Sequence, residues 1–223
     1  MKKPRQVRSQ QTLDRLLDAA EELIAQKGFE NTSVADIAKK AKSSVGAFYS
    51  RFHDKDGLLT GLQERFIEEA VATAEAVLDP KRWEGASTPE IVREAMAFLV
   101  RTVRERQGLL VAFSLRAAHD ATFARRNMFM GLHIAERLRD LLLSRREEIR
   151  HPNSDLAIRF GYGVILGSLQ QQAIIFNAAA PLDPISDEQA AGEYARLYLS
   201  YLGIEEAAQE KVSEGAPQRV RPA

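Results

Sequence analysis

Apolar residues recur along almost the whole chain at intervals of three and four positions, which is the spacing of one face of an α-helix. The clearest stripe precedes Gly28, where a left-handed helix cap is expected, and consists of Leu13, Leu16, Leu17, Ala20, Leu23 and Ile24. No segment alternates apolar and polar residues convincingly, as a half-buried strand does. The sequence therefore predicts an all-α protein with about nine helices.

Capping residues and helix breakers divide this pattern into segments. Ser33 with Asp36 forms a capping box, Asp54 can cap a long helix, and Ser186 with Gln189 opens a last helix. A stretch rich in Pro, Gly and Ser, residues 79–88, is the first clear linker. We expect helices at about residues 9–28, 33–41, 44–52, 55–78, 88–107, 109–118, 121–150, 154–177 and 186–202.

Composition excludes several function classes. The 223 residues include no cysteine, which excludes disulfide scaffolds, thiolate metal sites and cysteine nucleophiles. The longest apolar stretch, residues 161–180, is interrupted by Ser168 and three glutamines, and the basic N-terminus lacks the apolar core of a signal peptide. We therefore expect no export, no membrane contact, and a cytoplasmic protein without cofactor or metal.

The net charge is zero, but it is unevenly distributed. Residues 1–60 hold 11 Lys and Arg against 8 Asp and Glu, whereas residues 61–223 hold 20 against 23. Such a basic N-terminal segment is typical of a polyanion-binding surface, and equally of a solvated basic tail. Charge alone does not decide between these two interpretations.

Residues 33–52 combine two short helices joined by about three residues, which is the spacing of a helix-turn-helix. The second helix contains the small residues Val45, Gly46 and Ala47 and is flanked by basic residues. Small side chains allow the backbone to approach base edges in a major groove about 12 Å wide. Phe48 and Phe52 are expected to fill the centre of the three-helix unit.

The segment TSVADIAKKAKSSVGAFYSRFHDKDGLL, residues 32–59, resembles the DNA-binding signature of TetR-type transcriptional regulators. The helix before it, Gly28 and Phe29 match as well, and the resemblance covers about a quarter of the chain. Two positions depart from the family pattern: Lys42 stands where Gly is usual, and Ser43 where an apolar residue is usual.

The resemblance implies an N-terminal DNA-binding domain with a basic arm (residues 1–54), a helical ligand-binding and dimerisation domain (residues 55–204), and a polar tail (residues 205–223). It implies a repressor that binds a palindromic, double-stranded operator as a homodimer and is released by a small, largely apolar effector. The alternatives are a ligand-independent DNA-binding protein of the same fold that acts through protein partners and, more remotely, an enzyme. The four histidines lie far apart, and no catalytic fingerprint is present.

The expected DNA-binding residues are Thr32, Ser33, Lys42, Ser43, Ser44, Val45, Gly46, Ala47, Tyr49, Ser50, Arg51 and Lys55. By resemblance, Tyr49 and Lys55 contact phosphates, Thr32 and Ser33 anchor the first of the two helices to the DNA backbone, and residues 44–47 face the bases. Arg51 is either a phosphate clamp or a solvated charge, and the Tyr49 ring can also pack against the domain.

Aromatic, methionine and polar residues mix on the middle helices, as in a ligand cavity or in a plain core. The expected cavity residues are Met96, Phe113, Arg116, His119, Phe129, His133, Tyr162, Gln172 and Phe176. Small and aromatic residues near the C-terminus predict a dimer interface, or else intramolecular packing, formed by Gly163, Gly167, Ala173, Tyr194, Tyr198 and Leu202.

Overall fold

The computed structural model describes residues 3–176 and 185–205, with side chains described from Ser9 onward and up to Ile175 before the gap. The side chain of Phe176, predicted for the cavity, and residues 206–223 of the predicted tail lie outside this part. Within residues 3–176 and 185–205, no helix combines the length and hydropathy that crossing a membrane requires.

The described residues form nine α-helices and no strand, which confirms the predicted all-α fold. Short 3-10 turns at Pro80–Trp83 and Arg146–Glu148 join some of them. The helices are α1 (Lys3–Lys27), α2 (Val34–Lys40), α3 (Val45–Tyr49), α4 (Lys55–Val77), α5 (Thr88–Glu105), α6 (Gln107–Ala117), α7 (Ala121–Leu143), α8 (Ser154–Phe176) and α9 (Asp187–Leu202).

Most helix ends have a local cause that the sequence indicates. The Ser33 hydroxyl accepts a hydrogen bond from the backbone N–H of Asp36 at 3.1 Å, and Ser186 forms the same contact with Gln189 at 3.1 Å. Helix α9 ends at Gly203, which takes a φ of +70°, a conformation that glycine adopts without steric cost. These capping predictions are confirmed.

One predicted helix is shorter than its periodicity indicates. We expected it to continue to about residue 150, but α7 ends at Leu143. The side chain of Arg145 turns back and donates hydrogen bonds to the carbonyl of Ala86 at 2.6 Å and of Trp83 at 2.8 Å. Arg145 therefore anchors the loop before α5 instead of extending α7.

Two hydrophobic cores share α4. The first half of α4, from Leu58 to Phe66, packs with α1, α2 and α3 and with Phe113 and Phe123 of α6 and α7. Its C-terminal end, at Ala74, belongs to the core formed by α5, α7, α8 and α9. The domain boundary after residue 54 stays a prediction. Helix α4 contributes residues to both hydrophobic cores and so connects them.

Candidate nucleic-acid interface and internal cavity

The turn between α2 and α3 is closed by two backbone hydrogen bonds. The N–H of Lys42 donates to the carbonyl of Lys39 at 3.1 Å, and the N–H of Ser43 donates to that of Ala38 at 2.9 Å. Lys42 has a φ of +50°, and it is the sole non-glycine residue with a positive φ in the described part of the chain. A side chain in this left-handed conformation costs about 1 kcal/mol. Lys42 thus forms the turn in the backbone conformation for which glycine is better suited.

Helix α3 has five residues and is held from one side. Phe48 is fully buried and its ring lies 5.3 Å from that of Phe52, while the Ser44 hydroxyl caps the helix by accepting from the N–H of Ala47 at 3.0 Å. Its other side is open, since Val45 and Tyr49 keep 44% and 55% of their surface exposed. The exposed face therefore comprises Ser44, Val45, Gly46, Tyr49 and Ser50.

Thr32 does not belong to this exposed surface, so the structure does not place its hydroxyl for the predicted contact with DNA. Only 1% of Thr32 is exposed, and its hydroxyl donates to the carbonyl of Gly28 at 2.8 Å. Thr32 thereby fixes the loop between α1 and α2. Ser33 is exposed, but its hydroxyl already donates to the Asp36 carboxylate at 2.8 Å.

Arg51 and Lys55 hold the domain together through backbone carbonyls. The Arg51 guanidinium donates to the carbonyl of Ala47 at 2.9 Å and to that of Ser9 in α1 at 3.3 Å. The Lys55 ammonium donates to the carbonyl of Phe29 at 3.0 Å and lies 4.4 Å from the centre of its ring. The sequence gives no signal for these contacts, because they join residues 26 and 42 positions apart. These internal contacts explain the positions of the Arg51 and Lys55 side chains without any contact to DNA.

Lys39 and Lys42, close to α3, are exposed cations without an ion-pair partner among the described residues. Lys40 and Lys27, in contrast, form ion pairs with Glu22 at 2.5 Å and with Asp36 at 2.8 Å. The hydrogen bond from Lys27, with that from Ser33, lowers the pKa of Asp36 to about 2. This capping carboxylate is therefore charged at neutral pH.

A cavity of about 540 Å³ lies between helices α4 to α8. Its wall is mainly apolar, with Thr102, Asn127 and Gln170 among its polar groups. The structure brings together three of the predicted cavity residues here, namely Met96, Phe113 and Tyr162. Burial raises the pKa of Tyr162 to about 12, so its hydroxyl stays neutral at physiological pH.

Five predicted cavity residues lie elsewhere, and their assignment is corrected. His119 is exposed after α6, Phe129 is 63% exposed, and His133 contacts Glu75 on the surface at 2.8 Å. Arg116 pairs with Asp56 at 2.5 Å, and the Gln172 amide donates to the Tyr194 hydroxyl at 3.0 Å. The spacing of residues along α7 does not reveal how the helix is rotated about its own axis. In the structure, Met130 and Ile134 of α7 face the cavity, and Phe129 and His133 do not.

The outer surface of α8 and α9 exposes large apolar side chains. A Cβ atom added to Gly163 or Gly167 would meet no atom within 4 Å, so these positions lie in open space. The exposed apolar residues of this surface, which we call the α8/α9 face, are Leu156, Phe160 and Val164 of α8 and Leu197 of α9. Tyr194 is partly buried beside it.

Three residues predicted for a dimer interface belong to the interior of the chain. Tyr198 and Leu202 are fully buried, and the Tyr198 hydroxyl donates to the carbonyl of Ile158 at 2.6 Å. Ala173 lines the cavity. The glycine against which Tyr198 packs is Gly161, where an added Cβ would lie 2.6 Å from the ring. Tyr198 and Leu202 face inward from α9 and Ala173 faces the cavity from α8, which agrees with the alternative prediction of intramolecular packing for these three residues.

The start of α6 connects the cavity to α1. Arg106 and Glu69 line the cavity and pair with each other at 3.3 Å, and Arg106 also pairs with Glu21 of α1. An added Cβ at Gly108 would lie 2.9 Å from the carbonyl oxygen of Ile24. Sequence analysis missed this joint, because a single glycine at the start of a helix does not reveal what packs against it.

Comparison with known proteins agrees with the N-terminal geometry. Residues 16–62 match the family model described as bacterial regulatory proteins, tetR family. An uncharacterised HTH-type transcriptional regulator of Bacillus subtilis, YuxN, is 32% identical over 95 residues, which are 43% of this chain and 31% of the relative. The chain thus matches less than a third of that relative's length.

Solved structures share most of the fold. A TetR-family transcriptional regulator from Mesorhizobium loti superposes with a TM-score of 0.71 at 18% identity, covering 88% of this chain and 97% of the other. FadR of Bacillus subtilis, solved in complex with stearoyl-CoA, superposes with a TM-score of 0.63 at 19% identity, covering 84% and 97%. The matching family contains transcriptional regulators, which confirms the predicted regulator class over the enzyme class.

Proposed function

We propose that this chain, whose residues 16–62 match the TetR family of bacterial transcriptional regulators, represses transcription by binding an inverted-repeat operator as a homodimer. We further propose that a small, largely apolar effector releases it from the DNA. The observation that carries the DNA-binding part is the exposed face of α3, presented by a domain in which Thr32, Arg51 and Lys55 are engaged internally.

Helix α3 would enter the major groove with Val45, Gly46 and Ala47 toward the base edges. Lys42 and the Tyr49 hydroxyl are placed beside that face to contact phosphates, because both side chains are exposed. In this proposal Arg51 and Lys55 orient α3 and do not themselves touch the DNA. Phosphate contacts of this kind set position and salt dependence, whereas base contacts set sequence preference.

The α8/α9 face supports the homodimer. It exposes Leu156, Phe160 and Val164 at four-residue spacing along α8, beside the open positions Gly163 and Gly167, and Leu197 on α9. Contiguous apolar patches of this kind on a regulator indicate a protein interface. Two half-sites one helical turn apart, about 34 to 36 Å, require two copies of α3 related by a two-fold axis.

The cavity supports the effector. Its volume of about 540 Å³ lies within the range of about 300 to 1,000 Å³ typical of ligand pockets. The FadR neighbour was solved with stearoyl-CoA, a long-chain molecule that is apolar at one end. For this chain we propose the same broad class, an elongated apolar molecule, with Tyr162 and Asn127 as hydrogen-bonding groups. An effector must bind the DNA-incompetent state more tightly to release the protein.

DNA binding is tested by selecting duplexes from a random library with the full chain and footprinting the enriched sequence. We expect an inverted repeat whose two protected half-sites are centred one helical turn apart, or a multiple of it. Enrichment of no sequence would contradict the proposed function.

The dimer is tested by light scattering on Gly167→Leu. The new side chain points into open space within one chain but would separate the two copies, so we expect a helical monomer. Gly161→Ala is the matched control, because its Cβ meets the Tyr198 ring and should destabilise the fold instead. A wild-type monomer at micromolar concentration would contradict the homodimer.

The effector is tested by titrating the DNA complex with stearoyl-CoA, stearic acid and a neutral long-chain alcohol. Gly131 lines the cavity with no atom within 4 Å of an added Cβ, so Gly131→Leu should weaken release by an active probe. Gly192→Leu is equally unobstructed on α9 and should behave as wild type. Release by none of the probes would favour the ligand-independent alternative.

A further inference from the structure

The residues that α3 presents to DNA lack every side chain that reads a base by paired hydrogen bonds. The stretch from Ser44 to Ser50 contains no Arg, Lys, Asn, Gln, Asp or Glu. Bidentate recognition of guanine or adenine uses Arg, Lys, Asn or Gln, and recognition of the cytosine amine uses Asp or Glu. Direct reading of G·C pairs and of adenine by these contacts is therefore absent from this helix.

The two serine hydroxyls of the same face already form hydrogen bonds within the protein. Ser44 accepts from the N–H of Ala47 at 3.0 Å, and Ser50 donates to the carbonyl of Ala47 at 2.9 Å and accepts from Arg51 at 3.0 Å. The Arg51 guanidinium, one residue beyond, is occupied by carbonyl and hydroxyl oxygens of the protein. A hydrogen bond donated to a base by Ser50 would have to break its bond to the carbonyl of Ala47, whereas the O–H of Ser44 is a single donor and cannot form a bidentate contact.

Val45 is the exposed aliphatic side chain of this face, with 44% of its surface accessible. In the major groove, one apolar group distinguishes the four base pairs, namely the C5-methyl group of thymine. A valine that is exposed to water in the free protein gains free energy when it packs against that methyl group. Val45 is thus chemically matched to thymine.

Gly46 provides the close approach that such a contact needs. A Cβ added there would meet only the Ser44 hydroxyl oxygen, at an ordinary 3.8 Å, and the φ of Gly46 is not positive. Neither packing nor backbone conformation therefore requires glycine, although glycine lowers helix stability by about 1 kcal/mol relative to alanine. A missing side chain beside Val45 does, however, let the helix sit deeper in the groove.

We propose that base recognition by this protein depends on thymine methyl groups read by Val45, with one or two thymines per half-site at the position that faces it. The inference rests on the proposed DNA-binding function and adds which chemical group of the operator the protein recognises, namely the thymine methyl group. Sequence preference at other positions would come from the deformability and groove shape of the DNA.

The experiment uses the duplex selected from the random library with the full wild-type chain. Each thymine is replaced singly by deoxyuridine, which removes the methyl group and leaves base pairing intact. At the thymine facing Val45 we expect affinity to fall about fourfold for one half-site and about fifteenfold when both are substituted, the effect of losing one buried methyl per half-site. Replacing cytosines by 5-methylcytosine elsewhere should leave affinity unchanged.

Variants assign the effect to the residue. In Val45→Ala the penalty of the same deoxyuridine should disappear, whereas in Ser50→Ala, on the same face, it should persist in full. A selected sequence whose affinity ignores every thymine methyl, or an undiminished penalty in Val45→Ala, would overturn the inference while leaving the DNA-binding function standing. Failure to enrich any sequence would instead overturn the DNA-binding function, and the inference with it.

Discussion

Lys42→Gly should separate stability from DNA affinity, because its backbone forms the turn and, in the proposed function, its side chain contacts the DNA. Its φ of +50° is the left-handed conformation that costs a non-glycine residue about 1 kcal/mol. Replacement by glycine removes this cost but increases the entropy of the unfolded chain, which opposes it by about 0.4 to 1 kcal/mol. The two terms nearly cancel, so the free energy of unfolding should rise slightly or stay level.

The expected change in melting temperature is correspondingly small. For a chain of about this size, 1 kcal/mol corresponds to about 2 to 4 °C, so Lys42→Gly should melt within about 2 °C of wild type or above it. A clear fall in the melting temperature would refute the strain argument, since it would mean that the turn gains nothing from glycine.

The affinity of Lys42→Gly for DNA should fall, whereas its stability should not. Lys42 is exposed without an ion-pair partner among the described residues, and a dimer presents it twice. Each lost phosphate contact lowers the slope of log affinity against log salt by about 0.9, so the dimer should lose about 1.8. Lys42→Asn is the matched control: asparagine tolerates the left-handed conformation but is uncharged, and it should lose the same slope. An unchanged slope in both variants would mean that Lys42 contacts no phosphate.

Four further outcomes follow from the same geometry. Gly46→Ala should raise the melting temperature while weakening DNA binding, measured by thermal melting and fluorescence anisotropy. Lys55→Met should lower stability by about 1 to 3 kcal/mol in urea unfolding through loss of its carbonyl contacts, with an unchanged salt slope. The Asp36 carboxylate, whose pKa falls from 3.8 to about 2 on folding, should stabilise the protein fully above about pH 4 and lose this effect as pH falls toward 2, so melting curves of Asp36→Asn and wild type should converge there. Gly108→Val should separate α6 from α1 and destabilise the fold. Gly131→Val is the control, because a Cβ there meets no atom within 4 Å and should not push two helices apart. Equal destabilisation by the two variants would refute the close approach of α6 to α1.

Local patterns predicted the helices and the turn because their causes lie within a few residues. The capping box at Ser33 depends on a short hydrogen-bonded ring that the sequence displays directly, whereas the turn at Lys42 was singled out through the family resemblance, which has Gly at that position. The shortened α7 was not predictable in this way, since Arg145 reaches carbonyls about 60 positions earlier in the chain.

The candidate site was predicted in outline and less well in its particulars. The face of α3 follows from the helix-turn-helix spacing, but the internal roles of Thr32, Arg51 and Lys55 depend on which backbone carbonyls the fold brings within reach. Likewise, residue types indicated a cavity, yet the rotation of α7 and α9 decided that Tyr198 packs inside and Phe129 outside. That rotation results from packing of all the helices together.

The close contact between Gly108 and α1 couples the position of α6 to the tilt of α1. This contact lies at Ile24, and Arg51, just after the end of α3, binds the carbonyl of Ser9, fifteen residues or about 22 Å further along α1. A tilt of about 10° imposed on α1 by the start of α6 would move the Ser9 end by about 4 Å, more than a base-pair step of about 3.4 Å. In the proposed dimer, such a displacement starting at the cavity wall would move the two copies of α3 out of register with successive major grooves.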